Sequence, residues 1–238
     1  MGLREVIVRT PALAGISSTL LDELAEKATV RNLERGESLW SAGDAPQFLT
    51  IIRSGLVKVV KAVQGGRRSI CGLFGAPDTV GDAALWRQIP YPADAVVVTT
   101  TGSFVEIPKV VLDRVLLQEP NLNMSCAQAI QNKLTALLEK IDVLSAGGVE
   151  SRLATLLLNL YDRFGDDMDD DVSHIPVVLS RQELADLVST SFETAIRAMT
   201  RWEREGVAET TPQGFVLRNK VQLEKIAGRE TTVSDRNT

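Results

Sequence analysis

Apolar positions along the chain follow three successive rhythms. Leu20, Leu21, Leu24, Ala25 and Ala28 fall on one helical face, so residues 20–28 predict a short helix. From residue 30 to about 108 the pattern becomes short apolar or alternating runs cut by turn residues. Phe48-Leu49-Thr50-Ile51-Ile52 and Leu56-Val57-Lys58-Val59-Val60 read as strands. Gly36-Glu37, Gly43-Asp44, Ser54-Gly55, Gly65-Gly66, Gly75-Ala76-Pro77-Asp78 and Gly102-Ser103 read as the turns between such strands. Many short strands punctuated in this way predict a β-sandwich or jelly roll.

From residue 110 onward the period is helical. Ala127, Ile130, Leu134, Leu137, Ile141 and Leu144 alternate steps of three and four. They form a heptad seam with Ala127, Leu134 and Ile141 at a and Ile130, Leu137 and Leu144 at d. An amphipathic helix lying on the sandwich is the alternative, but so narrow a stripe favours a dimerisation helix. Gly147-Gly148 ends the seam and predicts a domain boundary and hinge. An amphipathic helix over 149–164 follows. The acidic run Gly165-Asp166-Asp167-Met168-Asp169-Asp170-Asp171 then reads as a solvated loop.

Residues 179–206 hold the most informative pattern. Ser180 followed by Glu183 is a capping box that opens a short helix packed through Leu184, Leu187 and Val188. After a brief turn, Ser191 caps a second helix with apolar positions Ala195, Ile196, Met199 and Trp202. Residues 207–217 predict a hairpin turning at Pro212-Gln213-Gly214. Two short helices followed by a hairpin make a winged helix-turn-helix, whose second helix enters a major groove of double-stranded DNA. Phe192, Glu193, Ile196 and Arg197 would then face base edges. A glutamate accepts from cytosine N4, and an arginine donates to guanine N7 and O6. Ser180, Arg181, Gln182 and Ser191 at the helix starts suit the phosphate backbone, as does Arg201.

Composition narrows this reading. With 238 residues, 44% hydrophobic and 24% charged, the chain is a globular protein of one large or two ordinary domains. The fold expected is α+β: a β-roll or jelly-roll sensor over 1–118, a dimerisation helix over 119–147 and a winged helix-turn-helix over 148–238. The net charge of −5 argues against a coat of basic residues but says nothing about one basic face. Nothing reads as a membrane span or signal peptide, and Val6 stands where myristoylation needs Ser or Thr. Two cysteines, Cys71 and Cys126, fit a reducing compartment, so the expected location is cytoplasmic. The lone histidine, His174, removes polyhistidine metal sites, and no catalytic or phosphate-cradling motif occurs. An enzyme is therefore not expected. The rival is a ligand-binding or scaffold module whose winged helix contacts protein.

The chain resembles the CRP/FNR family of bacterial transcription regulators. Arg35-Gly36-Glu37-Ser38-Leu39, Gly43-Asp44 and Ser54-Gly55-Leu56-Val57-Lys58 look like its sensor strands and turns. Arg181-Gln182-Glu183 and Glu193-Thr194-x-x-Arg197 look like its DNA-binding motif. The resemblance implies a homodimer with a cyclic-nucleotide-type roll, a small-molecule effector and base reading by Glu193 and Arg197 at a G·C-containing half-site. It implies contact with RNA polymerase near the acidic run, with activation and repression both open. Phe192 replaces an arginine of the cyclic-AMP-responsive members, and its ring suits a thymine methyl.

The family's nucleotide cassette reads Gly-Glu-x-x-Leu and then Arg-Ser-Ala. Here it is Gly81-Asp82-Ala83-Ala84-Leu85 and then Ala93-Asp94-Ala95. Asp82 is a methylene short, Ala93 removes the phosphate's cation, and Asp94 adds a like charge. Two like charges about 4 Å apart cost roughly 4 kcal/mol at an effective dielectric of 20. Leu137 and Leu138 stand where cyclic-AMP binders place a polar pair. These departures argue against cyclic AMP. No N-terminal cysteine cluster offers an iron–sulfur site. Haem finds only Cys71 as a candidate ligand in the roll, and no cofactor is identified. Cys71 and Cys126 leave two readings, a thiol switch or small apolar side chains.

Overall fold

The computed structural model describes residues 2–62, 68–169 and 172–229, and the chain divides into two compact units, residues 1–137 and 138–238. The first opens with α1 (Leu3–Arg9), one turn of 3-10 helix at Pro11–Leu13, and α2 (Ser18–Lys27). The strands follow: β1 (Thr29–Glu34), β2 (Ser38–Trp40), β3 (Phe48–Ser54), β4 (Leu56–Ala62), β5 (Arg68–Gly75) and β6 (Thr79–Val80). A short helix α3 (Asp82–Arg87) precedes β7 (Asp94–Val97) and β8 (Thr101–Pro108), and α4 (Lys109–Gln118) leaves the roll. The strands form two antiparallel four-stranded sheets, β1-β8-β3-β6 and β2-β7-β4-β5.

Alternation along β3 and β8 explains why the roll has two cores. Leu49, Ile51, Val105 and Ile107 point to one face and pack with Val6, Ile7, Leu21 and Leu24 of α1 and α2 and with Leu112 of α4. Ile52 and Phe104 point to the other, packing with Trp40, Val57, Tyr91 and Val97. A sheet covered on both faces needs apolar residues at successive positions, hence Ile51 beside Ile52 in β3 and Phe104 beside Val105 in β8.

Two expectations require correction. Gly102-Ser103 is no turn but lies within β8, opposite Leu33 and Asn32 of β1. A Cβ at Gly102 would sit 2.7 Å from the Phe104 ring, so the glycine leaves room for a core side chain on its own strand. The acidic run is not wholly a loop either. Asp166–Asp169 forms β9, antiparallel to β10 (Val172–Ile175). The Asp167 carboxylate accepts from Tyr161 Oη at 2.7 Å and Ser173 Oγ at 2.9 Å, which anchors the strand. Asp170, Asp171 and the proposed Gly65-Gly66 turn lie outside the described residues.

Helix α5 runs over Leu122–Ser145. Leu122, Ser125, Ala129 and Val143 are buried, while Met124, Ala127, Leu138, Ile141 and Leu144 are exposed. The a and d positions Ala127, Ile141 and Leu144 therefore belong to an uncovered apolar face. The side chains of Ile130, Leu134 and Leu137 lie outside the described residues.

The second unit continues with α6 (Val149–Phe164). Beyond β10 come α7 (Arg181–Leu187), α8 (Phe192–Arg204), β11 (Ala208–Thr211), β12 (Gly214–Leu217) and α9 (Lys220–Ala227). β11 and β12 are the hairpin expected from the sequence, turning at Pro212 and Gln213. β12 also pairs with β10, giving the order β11-β12-β10-β9. His174 is a half-buried residue of β10 opposite Val216.

Candidate nucleic-acid interface

Helix α7 begins where the sequence places its cap. Ser180 Oγ accepts from the Glu183 N–H at 3.2 Å, and Glu183 Oε2 accepts from the Ser180 N–H at 2.7 Å. These bonds satisfy two amides that a helix start leaves without partners. Ser180→Ala is expected to lower stability by about 1 kcal/mol. Urea unfolding followed by circular dichroism measures it, and Ser180→Asn, which keeps a capping oxygen, should lose little. Leu184, Ala185, Leu187 and Val188 are buried beneath α7.

Ser191 caps α8, its Oγ accepting from the Thr194 N–H at 3.2 Å. Ala195, Ala198, Met199 and Trp202 bury one face of the helix, and Ile196 is half-buried beside it. The opposite face presents Glu193 and Arg197 to solvent, with Phe192 exposed at the first turn. The Glu193 carboxyl is held below the usual carboxylate range by its own backbone N–H, then by the Ser191 hydroxyl, with a smaller contribution from Arg197. It is an acceptor at neutral pH. Arg197 Nη2 donates to Thr194 Oγ1 at 3.4 Å, a long bond on an exposed surface.

The remaining residues expected at this interface are engaged with the protein. Arg181 is half-buried and donates to Thr210 Oγ1 of β11 at 2.6 Å, tying the first helix to the hairpin. Burial lowers its pKa, and the Glu203 charge opposes that effect. Gln182 is exposed and donates to Asp186 Oδ1 at 2.8 Å. Arg201 pairs with Glu150 at the start of α6. Sequence reading missed Thr210 and Glu150, since each partner lies far along the chain from its arginine. It also missed the hairpin pair Arg218–Glu209, with N–O at 2.7 Å.

The cassette region of the roll is closed on itself. Asp82 is 3% exposed, with Oδ2 accepting from Thr79 Oγ1 at 2.8 Å and Oδ1 from the Ala83 N–H at 2.9 Å. Ala84, Leu85 and Ala93 are buried, and the Ala93 carbonyl accepts from Trp40 Nε1 at 3.1 Å. Asp94 accepts from the Ala42 N–H at 2.8 Å. A ribose hydroxyl and a cyclic phosphate need a free acceptor and a cation at these positions. The residues present offer an occupied carboxylate and an alanine, so they do not fit a cyclic nucleotide. Leu138 is exposed, and the Leu137 side chain lies outside the described residues.

Cys126 donates to the Ala12 carbonyl at 3.5 Å, and its thiol pKa is raised by burial and then by the Asp82 charge. Cys126 is therefore expected to alkylate more slowly with iodoacetamide at pH 8 than free cysteine does. Peptide mass spectrometry over a time course measures this. Among the described residues no group of three or more His, Cys, Asp or Glu is placed to hold a metal ion.

Comparison with known proteins agrees with both units. Residues 30–119 match the cyclic nucleotide-binding domain family, and residues 151–226 match the Crp-like helix-turn-helix domain. A probable transcriptional activator of Rhizobium leguminosarum bv. viciae is 30% identical over 192 residues, spanning 81% of this chain and 78% of that protein. The chain belongs to the CRP/FNR family of transcription regulators. The fumarate and nitrate reduction regulatory protein of Vibrio cholerae is similar at 27% over 209 residues, covering 87% of this chain and 81% of that one. The structure of FixK2 from Bradyrhizobium japonicum shares the fold, with a TM-score of 0.70, 18% identity, and coverage of 84% of this chain and 96% of that one. As a CRP/FNR regulator the chain is a DNA-binding protein, and the scaffold alternative falls away. Among the described residues no helix is long and apolar enough to cross a membrane.

Proposed function

We propose that this regulator works in the cytoplasm as a homodimer that reads a two-fold-symmetric DNA site, inserting α8 of each protomer into successive major grooves about 34 Å apart. The observation that supports this reading is the two-sidedness of α8, with Ala195, Met199 and Trp202 buried behind an exposed Glu193–Arg197 face. Glu193 accepts from a cytosine, Arg197 donates to a guanine, and Phe192 lies against a thymine methyl. The capped starts of α7 and α8, with Ser180, Gln182 and Ser191 exposed, face phosphates. The apolar positions Ala127, Ile141 and Leu144 on α5 provide the seam for a second copy, and the Gly147-Gly148 break is the hinge at which an effector re-aims the reading helices. The roll does not take cyclic AMP, because its cassette carboxylate is spent internally and its phosphate position lacks a cation.

Fluorescence anisotropy with DNA from upstream of the protein's own gene tests the reading. Arg197→Ala should cost about 1–3 kcal/mol on that DNA and little on random DNA. Equal losses on both would overturn the base-reading role of Arg197.

A further inference from the structure

A cleft of about 390 Å³ in the roll is bordered by Arg31, Trp40, Asp44, Thr50, Tyr91 and Glu106. The charges there do not balance. Glu106 is largely covered, with a side chain 15% exposed, and Arg31 Nη1 approaches it at 3.4 Å. That guanidinium is shared, donating also to the Leu39 carbonyl at 2.9 Å and the Ser38 carbonyl at 3.2 Å. One divided cation thus faces two carboxylates, that of the covered Glu106 and that of the exposed Asp44, whose Oδ2 also accepts from the Ser41 N–H at 2.9 Å.

Tyr91 is the second observation. It is 6% exposed and stacks on Trp40 with ring centroids 4.1 Å apart and planes at 15°. It lines the cleft, and among the described residues its hydroxyl makes no hydrogen bond. The ring is buried, and the hydroxyl opens on the cleft without a protein partner among those residues, where a ligand can meet it. Burial, then the charges of Glu106, Asp44 and Asp82, push its pKa up to about 12. It therefore keeps its proton at neutral pH, and its oxygen can accept as well as donate.

We propose that this cleft binds a small organic ammonium ion, as a sensor site separate from the nucleotide cassette. The ammonium carries three N–H donors, and Glu106, Asp44 and the Tyr91 hydroxyl are the three acceptors for them. The site is tied to the cassette by close packing. A Cβ at Gly81 would lie 2.7 Å from Tyr91 Cε1 and 2.8 Å from Trp40 Cη2, so the aromatic pair rests directly on the residue that opens α3. A ligand that shifts the pair moves Gly81 and Asp82 with it.

Isothermal titration of the full chain with 1,4-diaminobutane, and with the uncharged isostere 1,4-butanediol, tests the proposal without DNA. Saturable binding of the diamine alone is expected. Glu106→Gln should weaken it about tenfold or more, because a hydrogen bond to a charged group contributes roughly 1.5–3 kcal/mol. Tyr91→Phe keeps the ring stack and should weaken binding several-fold. Circular dichroism shows whether each variant folds, and Tyr91→Phe carries the test if Glu106→Gln does not. Absence of saturable diamine binding to the wild-type chain would overturn the proposal. So would equal binding of the diol, or affinity unchanged in folded variants. Binding of the untreated chain to DNA, read by anisotropy, is a separate result and fails or succeeds on its own.

Discussion

Trp202→Ala is expected to destabilise the helix-turn-helix unit by about 3–5 kcal/mol, the range for removing a large aromatic from a packed core. Trp202 is 1% exposed and is the last of the α8 positions Ala195, Ala198, Met199 and Trp202, which recur at helical spacing along one face. Its carbonyl also accepts from the Val207 N–H at 2.8 Å, where the chain turns toward β11. Removing the indole empties the space that seats the exposed face of α8. Domains have total stabilities of about 5–15 kcal/mol, so the loss is a large share of what holds this unit folded. The melting temperature should fall by roughly 10 °C or more, and DNA affinity should disappear at the same lowered temperature. Trp202→Phe retains most of the volume and should lose clearly less. Thermal circular dichroism measures both, and a loss below about 1 kcal/mol for Trp202→Ala would show that α8 is held some other way.

Ile141→Asp should turn the proposed dimer into a monomer at micromolar concentration. Ile141 is an a position of α5 and is 56% exposed in the single chain, far more than an isoleucine needs to be unless a partner covers it. Across a two-fold seam the substitution puts two carboxylates against each other and against apolar neighbours, where a charge without a partner is strongly unfavourable. Since Leu138 and Leu144 stay in place, the fold of the single chain should change little. Affinity for a symmetric DNA site should fall about 10²-fold or more, because the second half-site is no longer held at high effective concentration. Sedimentation velocity gives the mass and anisotropy gives the affinity. A dimer that persists in Ile141→Asp would mean that protomers associate through another face.

What could be read from the sequence was whatever is determined locally. Ser180 with Glu183, Ser191 before α8, and Gln213-Gly214 in the hairpin act within a few residues, and each does in the structure what its spacing predicts. Helix α6 is bounded by Gly148 and Gly165, and its limits were legible for the same reason. What escaped was set by distant partners. Asp166–Asp169 looks like solvated acid until β10 provides a strand to pair with. Gly102 looks like a turn until the Phe104 ring needs its space. Arg181 looks free for phosphate until Thr210, 29 residues on, takes its guanidinium. The cleft around Tyr91 draws on residues from 31 to 106, and no single stretch announces it.

Selection of bound DNA from a random-sequence pool tests the central claim most directly. The recovered sequences should share an inverted repeat with half-site centres about 10–10.5 base pairs apart, one helical turn. Each half-site should carry a G·C pair whose enrichment vanishes with Arg197→Ala. Recovery of a single unrepeated motif, or of no motif at all, would contradict a homodimer that reads symmetric DNA through α8.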